Sequence, residues 1–194
     1  ASRNLFVTLG DVDRSTSAEA RSIEIPAESI FHPHFDAMTY KNNIALLKLK
    51  TPVDFDAYPN VRPICISSDA SPSPGTSVTI AGWGGSDFYA PNAMKLNEAT
   101  VQVIGLSDCK VWYNAMDDNS ICARSTQSNI CFGDAGGPMM YLTPAGYYQN
   151  VGVASFPKTV QCPAHYGAVY TRTANYVEDF IESNTQDAKW CPTP

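Results

Sequence analysis

No stretch of this sequence approaches the roughly 20 consecutive apolar residues of a membrane-crossing helix, so no membrane partnership is expected. Basic residues are few. Thirteen Lys and Arg stand against nineteen Asp and Glu, a net charge of -6. That balance argues against nucleic acid or anionic lipid as partners, because both call for a positive surface. There is no Asn-x-Ser/Thr acceptor, so N-glycosylation is not expected. There is also no Cys-x-x-Cys pair among the six cysteines, which favours disulfides in an oxidising compartment over a zinc site. No signal peptide stands at Ala1, as in a processed chain. The expectation is a secreted, extracellular protein. Hydrophobic content of 44% with 16% charged residues is a globular composition, and 194 residues suffice for one large domain or two small ones.

What is present reads mainly as short strands. Leu5 to Leu9 is an apolar run closed by Gly10-Asp11. Ile23 and Ile25 alternate with polar residues, as do the residues from Ala99 to Ile104. Val78 to Ala81, Tyr147 to Ala154 and Ala168 to Thr171 supply further strands, and such regular spacing suggests all-β barrels. Ser67 to Gly75 has the Ser, Pro and Gly content of a linker, which divides the chain into units 1–70 and 71–194. Near the end, Tyr176, Val177, Phe180 and Ile181 share one face at helical spacing, with Thr173 as N-cap. Asp11, Asp13 and Glu19 are loosely spaced acids in one loop and read as solvated surface; calcium there, or any other cofactor, is not expected. His32 and His34 lack a cysteine or carboxylate pair to complete a metal site, and His165 is equally bland.

The chemistry centres on Cys131-Phe132-Gly133-Asp134-Ala135-Gly136-Gly137-Pro138. Glycines around a small residue allow a sharp turn, and the N–H groups of Gly133 and Ala135 are candidates to converge on an oxyanion. This stretch resembles the nucleophile loop Gly-Asp-Ser-Gly-Gly-Pro of the chymotrypsin/trypsin-like serine proteases. Ala135 stands at the serine, and a methyl group cannot attack a carbonyl. Asn42-Asn43-Ile44-Ala45-Leu46-Leu47-Lys48-Leu49 is similar to the family's Asp-Ile-Ala-Leu-Leu-Lys-Leu, with Asn43 at the aspartate. An amide favours the wrong histidine tautomer and cannot balance imidazolium charge; in a well-studied triad that change costs roughly 10⁴ in turnover. Gly82-Trp83-Gly84 resembles the opening of the family's second barrel.

The resemblance, running from about Leu5 to Ile181, implies two six-stranded antiparallel β-barrels, the first incomplete in this chain, and a C-terminal α-helix. It implies disulfides Cys109–Cys122 and Cys131–Cys162, and leaves Cys65 and Cys191 to pair with each other or with another chain. It assigns Asp134 to an amino terminus as ionic partner, and gives the pocket Asn129, Ile130, Ser155, Phe156, Pro157 and Ala168. Asn129 takes the place of the carboxylate that selects Arg or Lys, Pro157 has no N–H to offer a substrate strand, and Ala168 and Ile130 narrow the space. None of the three histidines matches the catalytic one. A second polypeptide is expected to complete the first barrel, and other secreted proteins or peptides are candidate partners. The leading expectation is therefore a protease homologue without proteolytic activity, acting by binding or regulation. An active non-tryptic endopeptidase carrying a Ser→Ala change, or present as a cleaved heavy chain, is the alternative, and a structural or storage protein is a weaker third reading.

Overall fold

The computed structural model describes residues 5–16, 21–113, 116–157 and 159–191. Strands β1 (Leu5–Leu9), β2 (Ile23–Phe31) and β3 (Ala45–Leu49) form an antiparallel sheet with β2 in the centre. Ile25 and Ala27 bury one face of β2, whereas Glu24 and Glu28 on the other are exposed. Among the described residues, the outer edges of β1 and β3 have no strand partner. Apolar side chains stand open on both, with Leu5, Phe6 and Leu47 all exposed.

The rest of the chain closes on itself. β4 (Ser77–Gly82), β5 (Asn97–Ile104), β6 (Ser120–Arg124), β7 (Pro138–Leu142), β8 (Tyr148–Phe156) and β9 (Ala168–Arg172) form a barrel in the order β4-β5-β6-β9-β8-β7. The period-2 pattern explains why. On β5, Val101 and Val103 are buried while Thr100 and Gln102 are exposed, so each strand gives one face to a shared core. Met139 and Val151, both fully buried, and Tyr170 fill the centre. Ala70, within the stretch that reads as a linker, is packed into this same core. A single helical turn, α1 (Leu106–Lys110), carries Cys109 into its bond with Cys122 of β6.

The C-terminal helix winds differently from an ordinary α-helix. Thr173–Tyr176 is a 3-10 turn and Val177–Glu182 a wider π-type turn. Thr173 does not cap it. Its hydroxyl instead donates to Asn150 Oδ1 on β8 at 2.8 Å. Tyr176, Val177, Phe180 and Ile181 bury one face against Ile44, with Ile30, Leu46 and Ile66 packed around them, so the helix joins the three-stranded sheet to the end of β9. The Cys65–Cys191 disulfide fastens the tail beyond that helix to the segment leading into the barrel, resolving a pairing that the sequence left open.

Candidate active site

The turn from Cys131 to Pro138 is held at both ends. Cys131 is bonded to Cys162, and Gly136 N–H donates to Ala154 O while Ala154 N–H donates to Gly137 O, both at 2.8 Å. Between these anchors Gly133 (φ +97°) and Gly136 (φ +88°) occupy the left-handed region, which a side chain would disfavour. The exposed N–H groups of Gly133 and Ala135 find no acceptor among the described residues and remain available to an oxygen atom. Position 135 offers only a methyl group. Asn92 lies so close to Gly133 that a Cβ there would come within 2.6 Å of its Oδ1.

Asp134 turns inward from the same loop. Its Oδ1 accepts Gly84 N–H at 2.7 Å and its Oδ2 accepts Cys131 N–H at 2.9 Å. A Cβ at Gly82 or Gly84 would collide with the carboxylate, so the two glycines flanking Trp83 are what admit it. The sequence marked Gly82-Trp83-Gly84 without this role; paired glycines opposite a conspicuous aspartate were the available signal. Asp134 lines an open cleft of about 710 Å³ with Asn97, Glu98, Asn129 and Ala164, and among the described residues no Lys, Arg or His forms an ion pair with it. The neighbouring Tyr170 phenol is held well above its usual range, first by burial, then by the charge of Asp134 and by Tyr113.

Asn43 sits where the first sheet meets the barrel. Its Nδ2 donates to Ser155 Oγ at 2.7 Å, and its own carbonyl accepts the Thr171 hydroxyl at 2.7 Å. Asn42 beside it, at φ +53°, donates to His34 O at 2.8 Å and accepts from Tyr176 OH at 3.0 Å. One of the two Asn43 amide N–H groups is spent on Ser155, and its Oδ1 accepts no hydrogen bond from the described residues. Since Ser155 follows the Ala154 that pins Gly136 and Gly137, β8 brings Asn43 and Ala135 to one region.

The residues assigned to a substrate pocket divide. Asn129 gives Nδ2 to Pro163 O (3.2 Å) and Tyr166 O (3.0 Å), and takes Ile130 N–H on Oδ1 (2.9 Å), so it staples two loops together. Ile130 and Ala168 belong to the barrel core. Phe156 is half-buried with Pro157 beside it, its ring 5.0 Å from Tyr40 and 5.5 Å from Tyr113. Sequence reasoning singled out neither tyrosine. The loop after Gly84 also crosses towards this region: Gly85 N–H donates to Phe132 O (3.0 Å), Phe88 N–H to Val160 O (2.8 Å), and the Phe88 and Phe132 rings meet edge-on at 4.6 Å.

The acidic loop is internally satisfied. Asp13, 6% exposed, accepts from the Ser15 backbone and hydroxyl and lies 3.6 Å from Lys95, while Asp11 accepts Asp13 N–H. Glu19 lies outside the described residues. His32 accepts His34 N–H on Nδ1 (3.2 Å) and packs edge-on against Tyr176 and Phe180; burial and then the charge of His34 hold its imidazole below the usual 6.5. The His165 ring lies 4.3 Å from that of Tyr166, tilted by 43°.

Comparison with known proteins agrees with this architecture. The chain is 34% identical over 188 residues to a venom protease of Bombus pensylvanicus, covering 92% of this chain and 76% of that protein. It is 34% identical over 188 residues to the venom serine protease Bi-VSP of Bombus ignitus, covering 90% of this chain and 51% of the relative. Serine protease filzig of Drosophila melanogaster matches at 31% over 184 residues, 89% of this chain but 11% of that much longer protein. No helix among the described residues is long and apolar enough to cross a membrane. The trypsin family model matches residues 2–181, a span that takes in every strand of the sheet and barrel described above. With a closed six-stranded barrel, a partial second sheet and glycine turns in the positions that model spans, the chain belongs to the trypsin family.

Proposed function

We propose that this chain is a secreted trypsin-like protease homologue that binds or regulates other secreted proteins or peptides and does not cleave them. The observation that carries the reading is Ala135, a methyl group at the apex of an otherwise well-formed nucleophile turn. Asn43 supports it, because a neutral amide bonded to Ser155 supplies no negative charge to stabilise an imidazolium. Pro157, with no N–H, weakens the pairing of an extended substrate beside β8. Three disulfides support an extracellular location.

The edges of β1 and β3 that are unpaired among the described residues, the open apolar side chains on them, and Asp134 facing a cleft where no described Lys, Arg or His pairs with it support a second polypeptide as partner. That polypeptide supplies strands to the first sheet and an amine to the carboxylate. Denaturing mass spectrometry of native material checks for it; a monomer of this chain alone that unfolds cooperatively refutes the idea.

The test of the functional reading is reaction of the native protein with a fluorophosphonate probe, alongside a peptide-library cleavage assay. No label and no cleavage are expected, and stoichiometric labelling refutes it. The names of the relatives favour a second reading, an active endopeptidase with its serine replaced. The two separate on Ala135→Ser: strong recovery of cleavage from that single change supports the second, whereas the first expects little recovery while Asn43 remains.

A further inference from the structure

A polar cleft on the outer wall of the barrel shares no lining residue with the cleft at Asp134. It encloses about 570 Å³ between Ser77, Thr100, Gln102, Arg124, Thr126 and His165. The sheet register explains why these side chains meet. Ser77 of β4 pairs with Gln102 of β5, which pairs with Arg124 of β6, so the three form one row across adjacent strands. Thr100 stands two residues along β5 on the same face, and the burial of Val101 and Val103 fixes that face outward. Arg124 is exposed, with its guanidinium 6.0 Å from the centre of the Trp112 ring, a cation–π contact that limits the rotamers it must lose on binding. No carboxylate among the described residues forms an ion pair with it.

An unpaired, partly ordered guanidinium in a chain of net charge -6 is a local exception to the field around it. Its planar fork matches a carboxylate in a two-point contact. The flanking hydroxyls and amide are each able to donate and to accept, which suits a polyol; Val101, the apolar side chain of the lining, is buried beneath them in the barrel core. The overall negative charge opposes a densely sulfated polymer. We propose that this cleft binds a saccharide unit carrying a single carboxylate, a uronic or sialic acid. Arg124 holds the carboxylate, while Ser77, Thr100 and Gln102 engage ring hydroxyls.

The experiment is an NMR titration of the isotopically labelled full chain with four probes: methyl glucuronide, sialyllactose, neutral lactose and sodium sulfate. A saturable response in the millimolar range is expected for one or both acidic sugars, centred on Gln102, Arg124 and His165, and which of the two binds tighter identifies the source. Arg124→Ala should weaken binding at least about tenfold, Arg124→Lys should restore only part of it, and Gln102→Ala should weaken it independently. Matched thermal unfolding of each variant separates lost binding from lost folding. Four results overturn the proposal: no saturation by either acidic sugar, equal binding of lactose, equal binding of sulfate alone, or unchanged affinity in folded Arg124→Ala.

Discussion

Replacing Asp134 tests whether its carboxylate is a structural keystone of the nucleophile turn. Two backbone donors, Gly84 N–H at 2.7 Å and Cys131 N–H at 2.9 Å, converge on it from different loops. Hydrogen bonds to a charged acceptor contribute roughly 1.5–3 kcal/mol each, and the lower end applies here because the adjoining cleft lets water replace part of what is lost. Asp134→Ala should therefore cost about 2–3 kcal/mol, a fall of about 1 M in the urea midpoint at unchanged slope. Asp134→Asn is the sharper test. One amide oxygen can satisfy one donor, but the amide N–H₂ then faces the other, so the isosteric change should cost nearly as much as truncation. The glycines supply an internal control. Gly84→Ala places a Cβ against the carboxylate, so it should be strongly destabilising alone and much milder in an Asp134→Ala background, with a coupling above about 1 kcal/mol. Wild-type stability in Asp134→Asn, or strict additivity with Gly84→Ala, refutes the reasoning.

Three further outcomes are expected. The His32 imidazole is held below 6.5 in the folded chain, so protons bind the unfolded chain first; stability should be fullest above that value and fall as pH drops through it, levelling once the folded-state value is passed. Urea midpoints measured from neutral to mildly acidic pH check this, and His32→Asn should flatten the curve there; an unchanged slope refutes it. Removing the Cys65–Cys191 bond as Cys65→Ala/Cys191→Ala opens a link across 126 residues, worth about 5 kcal/mol by chain entropy, and a midpoint equal to wild type in denaturant refutes that account. Ala135→Ser with Asn43→Asp, assayed with whatever chain co-purifies, should gain fluorophosphonate reactivity well beyond Ala135→Ser alone; equal reactivity of the two refutes the role given to Asn43.

The fold was legible where a physical period ran long enough to read. β5 declares itself by Val101 and Val103 alternating with Thr100 and Gln102, and the buried face of the C-terminal helix is visible in Tyr176, Val177, Phe180 and Ile181. The winding of that helix was not legible. Over six residues, wider turns of the backbone and ordinary α-helical ones bring the same pair of apolar dipeptides to one side, and the spacing cannot separate them. Nor could the Cys65–Cys191 pairing be read, since no local pattern links residues 126 apart; it requires knowing that the tail beyond Phe180 turns back past the sheet. Asn129 looked like a pocket residue that had lost its charge. In the fold, both ends of its amide are used to hold Pro163, Tyr166 and Ile130, a role set by loops whose approach no sequence period encodes.

Asn43 shows how structure changes an argument that sequence begins. Read from the sequence, an amide in place of a carboxylate carries two objections, reversed tautomer and absent charge. The bond to Ser155 separates them. An aspartate at this position would accept the Ser155 hydroxyl proton, whereas Asn43 donates one Nδ2 N–H to Ser155 Oγ, and its Oδ1 accepts no hydrogen bond from the described residues. An imidazole N–H presented to that oxygen meets an acceptor, which weakens the tautomer objection without removing it, because the second N–H of the amide is still a donor. The charge objection stands, because a neutral carbonyl stabilises imidazolium far less than a carboxylate in a partly buried site. Asn43 is thus suited to hold a neutral partner group in place, and Ala135 removes the only step for which a charged one is needed. Both residues support the proposed function, in which the turn and cleft serve contact without the proton transfer that cleavage requires.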